Sequence, residues 1–322
     1  MPASTTDTRV EVFLGKGGVG KTTCSAATAL QFADHGEPSL VISTDPTPSL
    51  SHIFEIEGAH REREVRPGLF LTELGLADVR AMWNEEFGRD VYGVFSSFVD
   101  VDYDSFVQFM TSVLPGLNEE FMVDYIRRLL LEGRRYRHVI WDTAPLGQTL
   151  ALLGMPSMLA EHLRAAPRIY SHLRTSGQQK ESVMEILGRW RRLAAECMAF
   201  LRGEVRFSMV TIPEALSVCQ LDSAVDELRR YGLGISRLIV NNVVQEADSP
   251  FLAQKVQQQR PHLERLHERY HDVPIVEIPL FPQEVRGVER LRVVGQVLDP
   301  IAVAPLADLA RPGVVQKNGA VP

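Results

Sequence analysis

The sequence lacks the features that mark secreted, membrane-spanning and nucleic-acid-binding chains. Its net charge is -7 and its pI is near 5.8, so no overall positive field attracts a phosphodiester backbone or an anionic lipid surface. No run of about 18 apolar residues occurs, and the N-terminal segment is neither basic nor apolar. We therefore expect a cytoplasmic protein with no nucleic-acid partner and no stable membrane insertion.

Cysteine is also scarce. The three cysteines, Cys24, Cys197 and Cys219, are widely spaced and include no CxxC pair. This spacing predicts neither a disulfide framework nor a zinc site, and it is typical of a reducing compartment. Apolar and charged residues are present in ordinary proportions, 45% and 23% of 322 residues, which is enough for a large domain with a substantial core.

Short apolar runs alternate with helical segments along the chain. Strands are predicted at residues 10–14, 40–43, 69–74, 138–141, 205–211, 237–243 and 275–278. This alternation indicates an α/β fold with a parallel sheet. Between the third and fourth predicted strands, large apolar residues recur at helical spacing, which predicts an inserted helical region.

We expect a single domain over residues 1–304 followed by a flexible tail at 305–322, which has little periodicity. The predicted core of this domain covers about 8–76, 136–150 and 203–304. The predicted helical subdomain covers about 77–135 and 150–202.

The segment Gly15–Thr22 reads GKGGVGKT and satisfies the phosphate-loop pattern G-x-x-x-x-G-K-[ST] between a predicted strand and helix. Glycines let backbone N–H groups converge on phosphates at the helix N-terminus. Lys21 is expected to reach the β- and γ-phosphates, and the Thr22 hydroxyl to ligate Mg²⁺. The alternative is a glycine-rich turn that caps a structural helix. The predicted contacts are Gly15, Lys16, Gly17, Gly18, Val19, Gly20, Lys21, Thr22 and Thr23.

The additional lysine Lys16 makes the loop resemble that of the deviant P-loop ATPases. Two further stretches, STDPTPSLSH at 43–52 and DTAPLGQT at 142–149, resemble the switch segments of one branch, the arsenite-pump and tail-anchored-protein targeting ATPases. The segments at 212–220, 239–244 and 278–291 extend this resemblance into the C-terminal half. The resemblance implies a P-loop NTPase core flanked by helices, ATP hydrolysis with Mg²⁺, and a homodimer.

The resemblance also implies roles for individual charged residues. Lys16 would cross the dimer interface to the partner's nucleotide, Asp45 would orient the attacking water, and Asp142 would hold Mg²⁺ through a water molecule. Lys21 and Lys16 would then share the catalytic work with Asp45. On the residues alone, Lys16 can be an exposed loop lysine, and either aspartate can be a helix cap or a turn residue.

The same resemblance assigns the adenine contacts. Asn241 would hydrogen-bond to the adenine edge, since its amide offers a donor and an acceptor, and the backbone near Pro279 and Leu280 would flank the ring. The chain departs from the family pattern within the switch segments, where it has Pro48, His52, Leu146 and Gln148. Because these side chains belong to the segments that move with the nucleotide state, the departures affect how that state is transmitted to an effector site.

Two uses of the ATP remain open at this stage. The first is targeting of hydrophobic or tail-anchored membrane proteins, with a client or a membrane receptor as partner. The second is the catalytic subunit of an arsenite or anion efflux pump, whose family members bind the metalloid through clustered thiolates. Phenylalanine and methionine in the helical region make a candidate client surface, although the same residues can simply pack the helices together. No zinc is expected, because the CxxC pair that clamps family targeting dimers is missing.

Overall fold

The computed structural model describes residues 8–45, 49–57, 62–75, 117–132, 135–143 and 177–298, together with isolated positions at 78, 81–82, 84–89, 92–93, 102–103 and 147. About half of the predicted helical subdomain and the whole predicted tail at 305–322 lie outside these residues. The switch positions Pro48, Leu146 and Gln148 also lie outside them.

An eight-stranded sheet forms the centre of the described part of the chain. The strands are β1 Arg9–Gly15, β2 Ser39–Ser43, β3 Arg63–Arg66, β4 Leu69–Glu73, β5 His138–Asp142, β6 Val205–Thr211, β7 Arg237–Val243 and β8 Ile275–Pro279. Their order is β3-β4-β2-β5-β1-β6-β7-β8, and all neighbours are parallel except β3 and β4. The predicted α/β fold with a parallel sheet is confirmed.

Helices connect these strands. They are α1 Lys21–Asp34, α2 Leu50–Ile53, α3 Leu117–Glu132, α4 Gly177–Gly203, α5 Ala215–Arg230, α6 Pro250–Arg269 and α7 Val288–Leu298, and a π-helical turn covers Asn84–Gly88. Among the residues that the structure describes, no helix is long and apolar enough to cross a bilayer.

The core lies on both faces of the sheet. Successive residues of β1 point to opposite faces, so Val12 belongs to one buried cluster and Phe13 to the other. The Val12 cluster includes buried residues of α3, α4, α5 and α6, whereas the Phe13 cluster includes residues of α1 and α7. Burial on both faces explains why β1 reads as an apolar run without clean alternation.

A buried ion pair joins the central strands next to this core. The Arg237 guanidinium on β7 lies 2.6 Å from the Glu11 carboxylate on β1 and donates a 2.8 Å hydrogen bond to Ser208 on β6. Arg237 is only 1% exposed, so removing its partner would leave an uncompensated charge in the interior. This pair fixes β1, the strand that leads into the phosphate loop, against β6 and β7.

Two elements were not predicted. The edge strand β3 is antiparallel, has exposed charged residues at Arg63 and Glu64, and lacks the apolar run by which the other strands were found. Such charges are common on sheet edges, where they discourage pairing with other chains. The helix α2 has four residues, too few for helical periodicity to show.

Candidate functional site

The phosphate loop connects β1 to α1 at the carboxyl edge of the sheet. Gly20 has a left-handed backbone, φ 98°, and a Cβ there would lie 2.3 Å from the Asn241 side chain. A Cβ at Gly15 would lie 2.3 Å from the backbone oxygen of Val210. Both positions therefore require glycine on steric grounds, independently of any bound phosphate.

Lys21 lies at the first position of α1 and is only 7% exposed. Its Nζ donates a 3.3 Å hydrogen bond to the backbone oxygen of Lys16. Burial lowers the pKa of Lys21, and the nearby carboxyl groups of Asp142 and Asp45 act in the opposite direction. Because this ammonium group is largely removed from water, a bound anion such as a phosphate would stabilise its charge.

Asp142, the last residue of β5, is fully buried beside the loop. Its Oδ2 accepts hydrogen bonds from the hydroxyls of Thr22, at 2.9 Å, and Ser43, at 3.4 Å. Burial raises the pKa of Asp142 to about 7, although the Thr22 hydrogen bond and the Lys21 charge act to lower it. Its Oδ1 is buried and has no hydrogen-bond partner within the described part of the chain.

These donors fit a hard divalent cation. A hydroxyl and a carboxylate are ligand types that Mg²⁺ prefers, directly or through water. A cation near Asp142 would favour the ionised carboxyl and would satisfy the unpaired Oδ1. Thr22 and Asp142 are therefore the residues that would hold Mg²⁺.

The first switch segment, residues 43–52, is fixed on both sides of its undescribed part. Upstream, the backbone N–H of Asp45 donates a 3.3 Å hydrogen bond to the Ser43 hydroxyl. Downstream, the buried Glu73 carboxylate accepts the backbone N–H groups of Leu50 at 2.9 Å and Ser51 at 3.1 Å. Glu73 thereby caps α2, whose preceding residue Ser49 has its hydroxyl 3.4 Å from that of Thr22.

A cavity of about 690 Å³ opens beside the phosphate loop. Its walls come from the loop and α1, from α2, from the end of β7 and from residues 280–286 after β8. The predicted site residues that line it are Gly18, Gly20, Thr22, Thr23, Asn241 and Leu280. His52, one of the departures from the family pattern, also lines it. We call this space the nucleotide cavity.

The end of β7 carries Asn241 to the phosphate loop. The Asn241 Nδ2 donates a 2.9 Å hydrogen bond to the backbone oxygen of Val19. The next residue, Asn242, has φ 59°, and the pairing of β7 with β8 shifts register between Val240 and Val243. A left-handed asparagine at a bulge is a strained arrangement that the surroundings must hold in place.

Comparison with known proteins agrees with this geometry. Residues 8–299 match the sequence profile of the family described as anion-transporting ATPase. The chain belongs to the anion-transporting ATPase family. It is 26% identical to a putative arsenical pump-driving ATPase 2 of Aquifex aeolicus, over 88% of this chain and 97% of the relative. It is 29% identical to ATPase GET3 of Chaetomium globosum, over 88% of each chain, and 29% identical to ATPase GET3A of Arabidopsis thaliana, over 86% and 80%.

This membership confirms the predicted family and the predicted ATPase activity. Within this ATPase, Lys21, Asp142 and Asp45 lie close to one another beside Thr22, and Asn241 lies next to Gly20. Thr22 lines the cavity, whereas Lys21, Asp142 and Asp45 do not. Pro279 ends β8 and does not itself line the cavity, whereas Leu280 does and is 46% exposed. The individual roles of these residues remain predictions.

The three cysteines of this ATPase lie apart. Cys24, on α1, belongs to the Phe13 cluster, and Cys197, on α4, belongs to the Val12 cluster. Cys219 is exposed on α5. Among the described residues, which include all three cysteines, no group of three His, Cys, Asp or Glu side chains is placed to hold a metal ion.

Sequence reasoning missed three residues that support the site: Ser49, Glu73 and Gln259. Glu73 contacts backbone groups that lie 22 and 23 positions away in the chain. Gln259 contacts backbone groups that lie 15 and 17 positions away. A local motif does not show such contacts. The only signal for Ser49 was its position within the first switch segment.

Proposed function

We propose that this ATPase hydrolyses ATP as a homodimer and uses the cycle to target hydrophobic or tail-anchored membrane proteins. The observation that carries the choice of cargo is the placement of the cysteines. A soft metalloid needs converging thiolates, and here the buried cysteines belong to clusters on opposite faces of the sheet while the third is on the surface. Resemblance to the targeting ATPases of the family supplies the remaining support.

The chemistry of hydrolysis is assigned to the phosphate loop and its neighbours. Lys21 would pair with the β- and γ-phosphates, because its ammonium is buried and held at the loop. Mg²⁺ held by Thr22 and Asp142 would neutralise charge on the transferred phosphoryl group. Asp45 lies at the end of β2 beside Lys21 and Asp142, where it would orient the attacking water.

The base would lie at the opposite end of the nucleotide cavity. Asn241 has its Oδ1 and one amide hydrogen beyond the Val19 bond, which suits the donor and acceptor edge of adenine. Leu280 and its neighbours after β8 would flank the ring. The nucleotide expected from this arrangement is therefore ATP.

Lys16 supports the dimer. It is half-buried at the start of the loop, and its backbone oxygen accepts from Lys21. A lysine at this place would reach the nucleotide of a facing subunit, so that ATP lies between two copies of the chain. Light scattering with a nonhydrolysable ATP analogue should show a dimer, and an unchanged monomer would remove both the dimer and this role of Lys16.

The cargo is tested with an Asp45→Asn variant, intended to hold the ATP state, and with Asp248→Asn as a matched control at an exposed position. Co-purification of proteins with a single hydrophobic tail by the first variant alone is the expected result. Recovery of no such protein in the presence of ATP would contradict the targeting function.

The second candidate is the catalytic subunit of an arsenite efflux pump. It is favoured by the full-length match to the relative from Aquifex aeolicus, 97% of which is covered. Arsenite should then stimulate ATP hydrolysis, and replacing Cys197 and Cys219 should abolish the stimulation. The scattered cysteines predict that arsenite has no effect.

A further inference from the structure

A buried glutamine on α6, Gln259, makes two hydrogen bonds to the backbone of the strained turn at the end of β7. The Oε1 of Gln259 accepts a 2.9 Å hydrogen bond from the backbone N–H of Val244, and its Nε2 donates a 2.9 Å hydrogen bond to the backbone oxygen of Asn242. Gln259 is 8% exposed. Both bonds fix the orientation of the amide, since the acceptor end meets an N–H group and the donor end meets a carbonyl.

This turn at the end of β7 lines the part of the nucleotide cavity where the base is expected to lie. Asn242 has φ 59°, and the β7–β8 register shifts there. Asn241, directly before it, contacts the phosphate loop at Val19. Directly after it, the backbone oxygen of Val243 accepts a 2.8 Å hydrogen bond from the N–H of Leu280, where residues 280–286 begin.

Gln259 does not line the nucleotide cavity. It lies behind the turn, where it lines a smaller cavity of about 330 Å³ with Glu214, Lys255, Gln258 and His262. Its two bonds go to the residues on either side of Val243. A side chain in this position cannot touch a nucleotide in the larger cavity, but it can hold the two groups that do.

We propose that Gln259 is a positioning residue for nucleotide binding, which holds the β7 turn so that Asn241 and the 280–286 segment face the base. This inference rests on the proposed contact between Asn241 and adenine. Without the double hydrogen bond, the left-handed Asn242 is free to relax, and Asn241 and Leu280 lose their mutual placement. Gly15, Thr22 and Asp142 hold the phosphate end, and Gln259 is linked to that end indirectly, through Asn241 and its bond to Val19. Loss of the Gln259 bonds should therefore weaken contacts at the base end more than at the phosphate end.

The inference is tested by nucleotide binding and kinetics in Gln259→Ala, with Gln258→Ala as the matched control. Gln258 is exposed on the same helix and lines the same small cavity, so the control makes the same change in helix propensity. We expect Gln259→Ala to raise the KM for ATP about tenfold with kcat within about twofold, which is the signature of lost uniform binding. Inhibition by inorganic tripolyphosphate, which has no base, should change by less than about twofold.

A Gln259→Glu variant gives a readout that a merely structural role would not move. Its carboxylate retains an acceptor for Val244 but places a second acceptor against the Asn242 oxygen, so the KM for ATP should rise at pH 8. Burial against the Asn242 oxygen should raise the pKa of the introduced carboxyl, so at pH 5 its protonated form regains a donor and KM should fall toward the wild-type value at that pH. Glu214, Lys255 and His262 line the same cavity in all variants, so the wild type and Gln259→Ala at both pH values account for their titration.

Comparison of Gln259→Ala with Asn241→Ala separates this inference from the proposed function. An unchanged KM for ATP in Gln259→Ala would overturn the role of Gln259, and so would an equal loss of tripolyphosphate binding. If Asn241→Ala lowers ATP binding while Gln259→Ala does not, the adenine contact stands and only the inference about Gln259 fails. If Asn241→Ala has no effect on ATP binding, the proposed adenine contact itself fails.

Discussion

The two ends of the nucleotide cavity are built in different ways. At the phosphate end, Lys21, Asp142 and Gly15 are buried, and Asp142 joins β5 to α1 and β2 by accepting hydrogen bonds from Thr22 and Ser43. At the base end, Leu280 is 46% exposed, Asn241 is half-buried, and the wall is a bulged turn followed by an irregular segment. Stabilising the transition state of hydrolysis requires fixed charges in a site that excludes water, whereas recognition of a base requires only a few correctly placed groups.

The contrast also shows where the support for each end comes from. The phosphate end is held by steric limits on the glycines and by the ends of adjacent strands. The base end is held from behind, by the Gln259 amide and by the bond between Leu280 and Val243. Changes at the phosphate end should therefore alter turnover, and changes at the base end should alter nucleotide affinity and selectivity.

The largest expected effect is at Lys21. Replacing Lys21 with methionine removes the buried ammonium that would stabilise charge on the transferred phosphoryl group, and kcat/KM for ATP should fall by about 10²- to 10³-fold. Lys255→Met is the control, because Lys255 lies on α6 outside the nucleotide cavity. Steady-state phosphate release measures both, and a fall of less than about tenfold would contradict the role of Lys21.

A substitution at Gly20 should damage both ends at once. In Gly20→Ala the new Cβ would lie 2.3 Å from Asn241 Nδ2, in addition to the strain of φ 98°. Gly18→Ala is the matched control, since Gly18 has φ 80° but open space around the Cβ position. Backbone strain alone costs about 1–3 kcal/mol, so urea unfolding should show that loss in Gly18→Ala and a larger one in Gly20→Ala.

Adding Asn241→Ala to Gly20→Ala isolates the contact between the two ends. The double variant removes the side chain that the new Cβ meets, so its free energy of unfolding should recover toward that of Gly18→Ala. No recovery would mean that the Asn241 contact does not limit this position.

A smaller effect is expected from Glu73, which caps α2 at the phosphate end. Losing a helix cap costs about 1 kcal/mol, so Glu73→Ala should loosen Ser49 and α2 and lower kcat about fivefold, with little change in the KM for ATP. Glu73→Gln retains an oxygen that accepts the Leu50 and Ser51 N–H groups and should keep most of the activity. Equal losses in both variants would show that the carboxylate charge matters rather than the cap.

The smallest change concerns the reactivity of the thiols. Burial raises the pKa of Cys24 to about 12, so this thiol should remain protonated at pH 8. It should therefore react slowly with thiol reagents, even though Cys24 lines the nucleotide cavity. Cys219 is exposed and should be the fast-reacting thiol in a native titration. Cys219→Ser should abolish the fast phase without changing ATPase activity, and a second fast thiol at Cys24 would show that the phosphate end is open.

The same contrast explains what the sequence could predict. The phosphate end follows from a motif whose glycines, lysine and threonine are contiguous, and the parallel sheet follows from apolar runs that are buried on both faces. Asn241 was found only through resemblance, because an asparagine pair at a strand end has no chemistry of its own. Gln259, Glu73 and the charged edge strand β3 escaped prediction since their partners are distant in the chain or their residues lack periodicity.

The most direct test of this two-ended site compares kcat/KM for ATP and GTP in the wild type and in Asn241→Ala. The wild type should prefer ATP. Asn241→Ala also removes the hydrogen bond to Val19, and this loss should lower kcat/KM for both nucleotides. In addition, kcat/KM for ATP should fall about tenfold more than kcat/KM for GTP, which corresponds to the loss of about one well-placed hydrogen bond. A ratio that Asn241→Ala leaves unchanged would contradict the assignment of the base end.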